Sequence, residues 1–568
     1  MIKRLLAATL ATTLASSLLL GSALAAEFKS FLETPVSNLD PLYLNSAGSR
    51  QVGQLVHRGL VAYSPTLLPP RAGAYHQVVP AIAESWELAP DKKAYIFKLN
   101  PKAHFHTGRQ VRAADVKYSL ERAANPNLSA SEYWAVERLN IKGLRRYQAA
   151  QRAGIKEPHL LGVEVIDHDI VMITLENPIP YALELLALPI FSIVPAEDVE
   201  RWWKDYSVHP VGAGPYQLEK LSDPKKISLQ RFDKFYDPEL PRNSGVQLSL
   251  IPETEGQFQA FTRNQLDHSP VPAAFFDKVL ADPVWNALGS QPVLDAPKIG
   301  KPGETRLTKV PQWRTEFINM DNQSFPFSDT KVRQAFNWAI NKRALIKDTL
   351  KTYGHPVQGI FPPGFPGASR KEEVYPHNPD KARKLLFETG WRDRDQDGDL
   401  EPWQNPRVNL TLYYGEDDRS LAICRQVQAD LAAIGVTIGL APLKKYQARY
   451  PGRLPAFYHS SWAPDIIDPS EWFYPTFHST QRYTNRARYQ NPRVDEMVGQ
   501  AEDLNYEPRR YELYREAEMV ILDDAPWLFL YHPVSYYLVQ PQVHSYMAHP
   551  GLPFFYEHFG LQVQTAER

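Results

Sequence analysis

The 568-residue chain contains one cysteine, Cys424, so no intramolecular disulfide can form and Cys-based metal clusters are excluded. No cysteine follows Ala23-Leu-Ala25, where a lipid anchor would need its acceptor. The formal net charge is -1, which provides no global attraction to nucleic acid or anionic lipid. Long apolar runs are scarce as well. Beyond the N-terminal segment none reaches the ~18 residues expected of a membrane-spanning helix. Motifs for nucleophile, zinc and nucleotide chemistry are missing: there is no G-x-S-x-G, H-E-x-x-H or G-x-x-x-x-G-K-[ST], and no cysteine in a His-bearing signature. A scattered Ser/His/Asp triad is the remaining route to a hydrolase. Gly212-Ala-Gly214 fails the dinucleotide fingerprint because Gln217 stands where a third glycine belongs, so a tight turn is expected there.

Hydrophobic residues at 43% and charged residues at 22% describe a globular chain, and its length points to roughly two or three domains. Aromatics make up 12%, with 12 Trp and 29 Tyr, enough for the core and for concave sites that stack ligands. The N-terminus reads as a signal peptide. Lys3 and Arg4 precede an apolar region at Leu5–Leu20, and Ala23-Leu-Ala25 is an A-x-A cleavage site. A mature chain beginning near Ala26, exported and not lipid-anchored, is expected in a Gram-negative periplasm.

Periodicity predicts a helix around Ser49–Gly59, then Pro-rich punctuation at Pro65–Pro70. Tyr95, Phe97 and Leu99 alternate within a strand at Ala94–Leu99, and Lys102–Gly108 reads as a second strand and turn. A helix at Ala113–Ala123, a strand at Ile170–Leu175 and a helix at Tyr181–Leu186 follow. In the second half, Glu316–Met320 is a strand, and Ser328 or Asp329 caps a helix bearing Val332, Phe336, Ala339 and Ile340 on one face. Asn378-Pro379 opens a helix that Gly390 ends. Val408–Tyr413 and Val436–Leu440 are strands around a helix at Ser420–Ile434, where Cys424 joins Leu421, Val427 and Leu431 as a small buried hydrophobe. Asn491-Pro492 and Pro508 start two more helices, and Trp527–Tyr531 is a strand. Strands alternating with helices make an α/β fold class.

The stretch Ser460-Ser-Trp-Ala-Pro-Asp-Ile-Ile-Asp-Pro469 carries the most chemistry. An indole and a carboxylate three residues apart form a usable cation clamp, the Trp462 ring covering an apolar part while Asp465 accepts from an ammonium group. The same pattern also describes a strand end with a packed Trp and a solvated Asp.

W-x-x-D-x-x-D-P resembles a motif of the family 5 extracellular solute-binding proteins, the dipeptide and oligopeptide receptors of bacterial import systems. Further stretches resemble that family in order: Asn38-Leu-Asp-Pro41, Ala83-Glu-Ser-Trp86, Phe105-His-Thr-Gly108, Ala114-Asp-Val116, Gly212-Ala-Gly-Pro-Tyr216, Asp329-x-x-Val-Arg-Gln-Ala335, Lys381-Ala-Arg-Lys-Leu-Leu386 and Ile434-Gly-Val436. Ala213 stands where the family usually has Thr. The resemblance implies a two-lobed periplasmic binding protein fold, type II-like, with a small domain inserted in the first lobe. Its expected division is a signal peptide at 1–25, first lobe at 26–70, 196–312 and 527–568, inserted domain at 71–195 and second lobe at 313–526. It implies a receptor of an ABC importer that binds without chemistry, passes peptides to permease subunits in the inner membrane, and acts as a monomer without nucleic acid or cofactor. Asp465 would pair with a peptide's α-amino group and Trp462 would line the adjacent pocket. The strand Tyr458–Ala463, Ser461 and Ala463 included, would lend backbone groups to an extended peptide. Arg419, in the loop Gly415-Glu-Asp-Asp-Arg419, is the better candidate for a carboxylate anchor, its other reading being a local pair with Asp417 or Asp418. Asp468 offers a control of equal charge. Relatives also carry oligosaccharides and nickel complexes, so a non-peptide solute stays open, as do a secreted hydrolase and a folding or signalling module.

Two further clusters point to no metal. Asp393-Arg-Asp-Gln-Asp-Gly398 opens like a calcium loop, with Glu401 at its ninth position, but Gln404 replaces the bidentate Glu, so an acidic turn is expected. His104 and His106 flank Phe105 and would share one face of a strand, solvated and without a third ligand.

Overall fold

The computed structural model describes residues 26–66, 78–282, 291–292, 306–405, 408, 410–504, 508–552 and 554–561. The signal peptide, most of the Pro65–Pro70 punctuation and the expected boundary at residue 70 lie outside the described residues. The fold is mixed α/β. Among the described residues no helix is long and apolar enough to cross a membrane.

A four-stranded antiparallel sheet is built from Ala83–Leu88, Ala94–Leu99, Ile170–Thr174 and Val163–Asp167, in that order. Alternation sets its faces: Tyr95, Phe97 and Leu99 are buried while Ile96 and Lys98 face water. The helix Ala113–Ala124 packs Val116, Leu120 and Ala123 into the same cluster. Asp40, from the Leu-Asp-Pro stretch, accepts two hydrogen bonds from Arg122 of that helix, at 2.8 and 2.5 Å.

The expected strand at Lys102–Gly108 is not formed; a turn closed by an isolated bridge between His104 and Gln110 takes its place. His104 and His106 therefore do not share a strand face. His104 Nδ1 turns back to the Lys102 carbonyl, and His106 Nε2 lies 3.2 Å from the Gly214 carbonyl with its ring against Phe232. Burial pushes the His106 imidazole down to about 3, so it is a neutral structural ring rather than a solvated one. Gly212 and Gly214 lie in an irregular stretch rather than the tight turn expected, and their role is close backbone approach. A Cβ on either would collide with the Val56 or Leu55 carbonyl at the end of the helix Ala47–Val56.

A second four-stranded sheet and a nine-stranded one accompany it, beside three two-stranded sheets among the described residues. Glu27–Leu32 pairs in parallel with Gly245–Leu250, which continues antiparallel into Lys226–Arg231 and Tyr216–Gln217. The nine-stranded sheet runs Gln291–Pro292, Arg306–Pro311, Trp527–Val539, Thr315–Met320, Phe457–Trp462, Thr411–Tyr414 and Gly439–Pro442, with His268–Pro270 and Gly354–Pro356 also on Trp527–Val539. The strand expected to end at Tyr531 thus continues to Val539. Its first part pairs with Thr315–Met320 and its second with Arg306–Pro311.

Capping chemistry sets the helices of the second half. Asp329, not Ser328, accepts from Lys331 N at the start of Thr330–Ala339. Asn378 caps Pro379–Glu388, and Gly390, at φ +86, turns the chain away from it. The helix Asp418–Ala432 buries Cys424, whose thiol burial pushes up to about 12. Trp472 and Phe473 lie buried in the helix Ser470–Phe477.

Candidate functional site

The strand Phe457–Trp462 runs antiparallel to Thr315–Met320, with Glu316 opposite Ser461 and Thr315 opposite Trp462. On its other side Thr411–Tyr414 runs parallel, and that ladder consists of Tyr413 opposite Tyr458. From His459 onward this edge makes no ladder pair among the described residues, which leaves the backbone of Ser460, Ser461 and Trp462 available to an added strand. The ends of Thr411–Tyr414 and Phe457–Trp462 point the same way, so the segments after them, carrying Arg419 and Asp465, meet at the carboxyl edge of the sheet. In α/β sheets that edge is where ligands bind.

Ser461 and Trp462 are half-buried, while Ala463 and Asp465 are exposed. The Trp462 indole is held from below, its Nε1–H donating to the Glu471 carbonyl at 2.8 Å. Asp465 touches water, yet surrounding protein strips enough solvent to push its carboxyl above the usual range, against the pull of Arg50 and Arg138. That combination describes an exposed group crowded by protein on several sides. Glu132, at the start of the helix Tyr133–Leu139, is likewise pushed up by burial, with Arg50 lowering it and Asp465 raising it further. Three distant parts of the chain thus meet at Asp465: the helix of Arg50, the segment of Glu132 and Arg138, and the strand end itself.

Arg419 lies in the first turn of the helix Asp418–Ala432 rather than in the preceding loop, and its guanidinium sits over the ring of buried Tyr531, 5.8 Å from the centroid. Tyr531 pairs across the sheet with Glu316, the residue opposite Ser461, which brings Arg419 to the same edge as Trp462. Beneath it runs a serine–histidine–carboxylate chain: Ser420 Oγ is 2.8 Å from His459 Nδ1, and His459 Nε2 is 3.2 Å from Glu316 Oε2, an ion-pair distance without hydrogen-bond alignment. Ser420 is buried, and its Oγ already accepts from Gly415 N at 2.8 Å. The chain ties the start of the helix and Gly415 before it to the sheet, and the hydroxyl is buried.

Asp468 proves unsuitable as a control of equal charge. It is buried and grips Arg510 with both oxygens, at 2.6 and 2.8 Å. Burial alone would raise its carboxyl, but the Arg510 charge and hydrogen bonds outweigh that and lower it. Glu471 is buried next to it. Burial pushes Glu471 up to about 6 despite its ion pair with Arg138, and its Oε2 accepts from Asp465 N at 3.4 Å.

Other hollows and clusters do not include Asp465 or Trp462. A cavity of about 200 Å³ lies away from Asp465, where Arg58 and Glu557 spend their charges on each other. The Asp393, Asp395 and Asp397 carboxylates come within 4.8 Å of one another, all exposed. They serve their own turn, Asp393 accepting from Gln396 N and Gly398 N and Asp397 from Asp399 N. Sequence reasoning missed Arg50, Glu132, Arg138, Glu471 and the Ser420–His459–Glu316 chain. Arg50, Glu132 and Arg138 arrive by packing of distant segments and the Ser420–His459–Glu316 chain by sheet register, whereas Glu471 stands in the helix next to the motif.

The profile of bacterial extracellular solute-binding proteins, family 5 Middle, matches residues 77–484. The glutathione-binding protein GsiB of Salmonella typhimurium is 26% identical over 504 residues, covering 87% of this chain and 86% of the relative. The Escherichia coli murein tripeptide binding protein MppA superposes with a TM-score of 0.70 at 22% identity, over 95% of this chain and 99% of that one. NikZ from Campylobacter jejuni, in complex with Ni(L-His), superposes with a TM-score of 0.71 at 18% identity, over 94% and 99%. The solved relatives have the two-lobed fold of periplasmic binding proteins.

Proposed function

Because the chain belongs to the family 5 bacterial extracellular solute-binding proteins, we propose that it is a periplasmic receptor that captures short peptides by their free amino end. Asp465 carries this reading. It is a carboxylate in a crowded, partly dehydrated cleft, with no ion pair within 4.0 Å among the described residues, at the end of a strand whose edge is open. A ligand ammonium supplies the missing counter-charge. Trp462 covers the first side chain, Ser461 and Ala463 lend backbone groups, and Arg419 accepts a carboxylate further along the sheet edge. Two of the relatives are named for small peptide ligands, glutathione and a murein tripeptide, which supports the same class.

In this reading the protein is exported after cleavage near Ala26, is not lipid-anchored, works as a monomer and delivers its solute to the permease of an ABC importer. The chemistry of transport lies in those partners. The first lobe takes 26–70, 196–312 and 527–568, the inserted domain 71–195 and the second lobe 313–526, with the long strand Trp527–Val539 running between the lobes.

Titration calorimetry with trialanine and N-acetyl-trialanine tests the reading, and native mass spectrometry of the purified protein identifies any retained solute. Trialanine binds and the acetylated peptide binds at least about 30-fold more weakly, the lower end expected for stranding one member of a buried charge pair. Equal binding of the two peptides, or a retained solute without an amino group, overturns it.

A further inference from the structure

We propose that Glu471 is a positioning residue that holds Trp462 and Asp465 in place and, through Arg138, ties their placement to the inserted domain. Glu471 makes three contacts in three directions. Its carbonyl accepts from Trp462 Nε1 at 2.8 Å, its Oε2 accepts from Asp465 N at 3.4 Å, and its Oε1 pairs with Arg138. The residue is 3% exposed, so water does not compete for these bonds.

Arg138 belongs to the helix Tyr133–Leu139, on the segment that presents Glu132 to Asp465. Besides Glu471 it donates to Ser470 Oγ at 3.0 Å and to Tyr181 Oη at 2.9 Å, with its guanidinium 4.6 Å over the Tyr181 ring. Tyr181 Oη donates on to Glu502 at 2.7 Å. The guanidinium is therefore fixed from both sides of the junction. The backbone between the two carboxylates is stitched in the same way. Ile466 is buried in the cluster that contains Phe97, Val116 and Leu120, and Ile467 in the one that contains Trp472 and Phe473. A shift of the inserted domain against the strand end reaches both ligand-facing groups through Glu471, alongside the Tyr181–Glu502 bond and the Ile466 packing that also cross the junction. The positioning role rests on the reading of Asp465 and Trp462 as ligand contacts, but the coupling can be read without a ligand.

The test is pulsed electron–electron resonance on the full ligand-free chain, with spin labels at Arg152→Cys and Gln500→Cys, both exposed surface positions. Cys424 is buried with its thiol pushed up, so it stays unlabelled. The parent gives one narrow distance. Glu471→Gln and Arg138→Gln broaden it, the double variant broadens it no further, and Arg138→Lys restores part of it. The Trp462 indole N–H resonance moves in Glu471→Gln and also in Arg138→Gln, although Arg138 does not touch the indole. Trialanine binding weakens by roughly tenfold in both, the scale of a lost charge-assisted contact. A parent-like distance and indole resonance in Arg138→Gln overturns the coupling whether or not trialanine binds. Asp465→Asn separates the two readings, because it keeps the parent distance while losing peptide affinity. If the parent ignores trialanine, the peptide reading fails while the distances still decide the coupling.

Discussion

Asp465 faces water among Arg50, Glu132 and Arg138, whereas Asp468 in the same turn is sealed against Arg510. The two carboxyls are shifted in opposite directions. Crowding without a bonded partner raises Asp465, and a bidentate guanidinium lowers Asp468 although it is the more deeply buried. The difference lies in whether the chain itself supplies the counter-charge. Where it does, the aspartate is part of the architecture; where it does not, the carboxylate is left for the amino end that the proposed capture of peptides requires.

Removing the paired aspartate has the largest effect. Asp468→Ala strands the buried Arg510 guanidinium and lowers stability by about 3–5 kcal/mol, read by denaturant unfolding of the ligand-free protein. A variant as stable as the parent would erase the contrast between the two sites. The open aspartate gives the converse result. Asp465→Asn weakens free-amino peptide binding by about 2–5 kcal/mol in calorimetry while the melting temperature moves little. Parent-like binding would leave Asp465 a solvated surface acid.

A pH scan sharpens the comparison at smaller amplitude. Glu471 has a folded value of about 6 against an ordinary 4.5, so the folded state holds more protons than the unfolded one between those values. Stability therefore falls as pH rises from about 4.5 to about 6, by about 2 kcal/mol. Glu471→Gln loses this share of the slope and keeps the fall from Glu518, which burial raises to about 7. Asp468 has the opposite sign: its contribution is present above the ordinary value of 3.8 and is lost as pH falls through its lowered one. Parallel curves for Glu471→Gln and the parent between pH 4.5 and 6 would contradict the assignment.

Much of the fold was legible because its signals are local. Alternation placed Ala94–Leu99 to the residue, and the caps at Asn378 and Asp329 placed two helix starts. Alternation fails over short spans. Phe105 between two histidines looked like a strand because a tight turn also buries its middle residue. Trp462, Asp465 and Arg419 were legible as a motif and a nearby cation. Their surroundings were not, because Arg50, Glu132 and Arg138 lie more than 300 positions away and arrive by domain packing. Other residues of the recognisable stretches work structurally. Asp40 holds Arg122, and Arg333 donates to the carbonyls of Phe327, Asp524 and Ala525.

The strand Trp527–Val539 has a consequence for the order in which the molecule can be made. It is inserted between Thr315–Met320 and Arg306–Pro311, so both wait with an unpaired edge until Trp527–Val539 has been synthesised. Leu528, Leu530 and Tyr531 enter one core, and Val534, Tyr536 and Leu538 another. Neither half can close before this strand arrives. A truncation just before Trp527 would expose two hydrophobic sheet edges at once and favour aggregation over either isolated lobe.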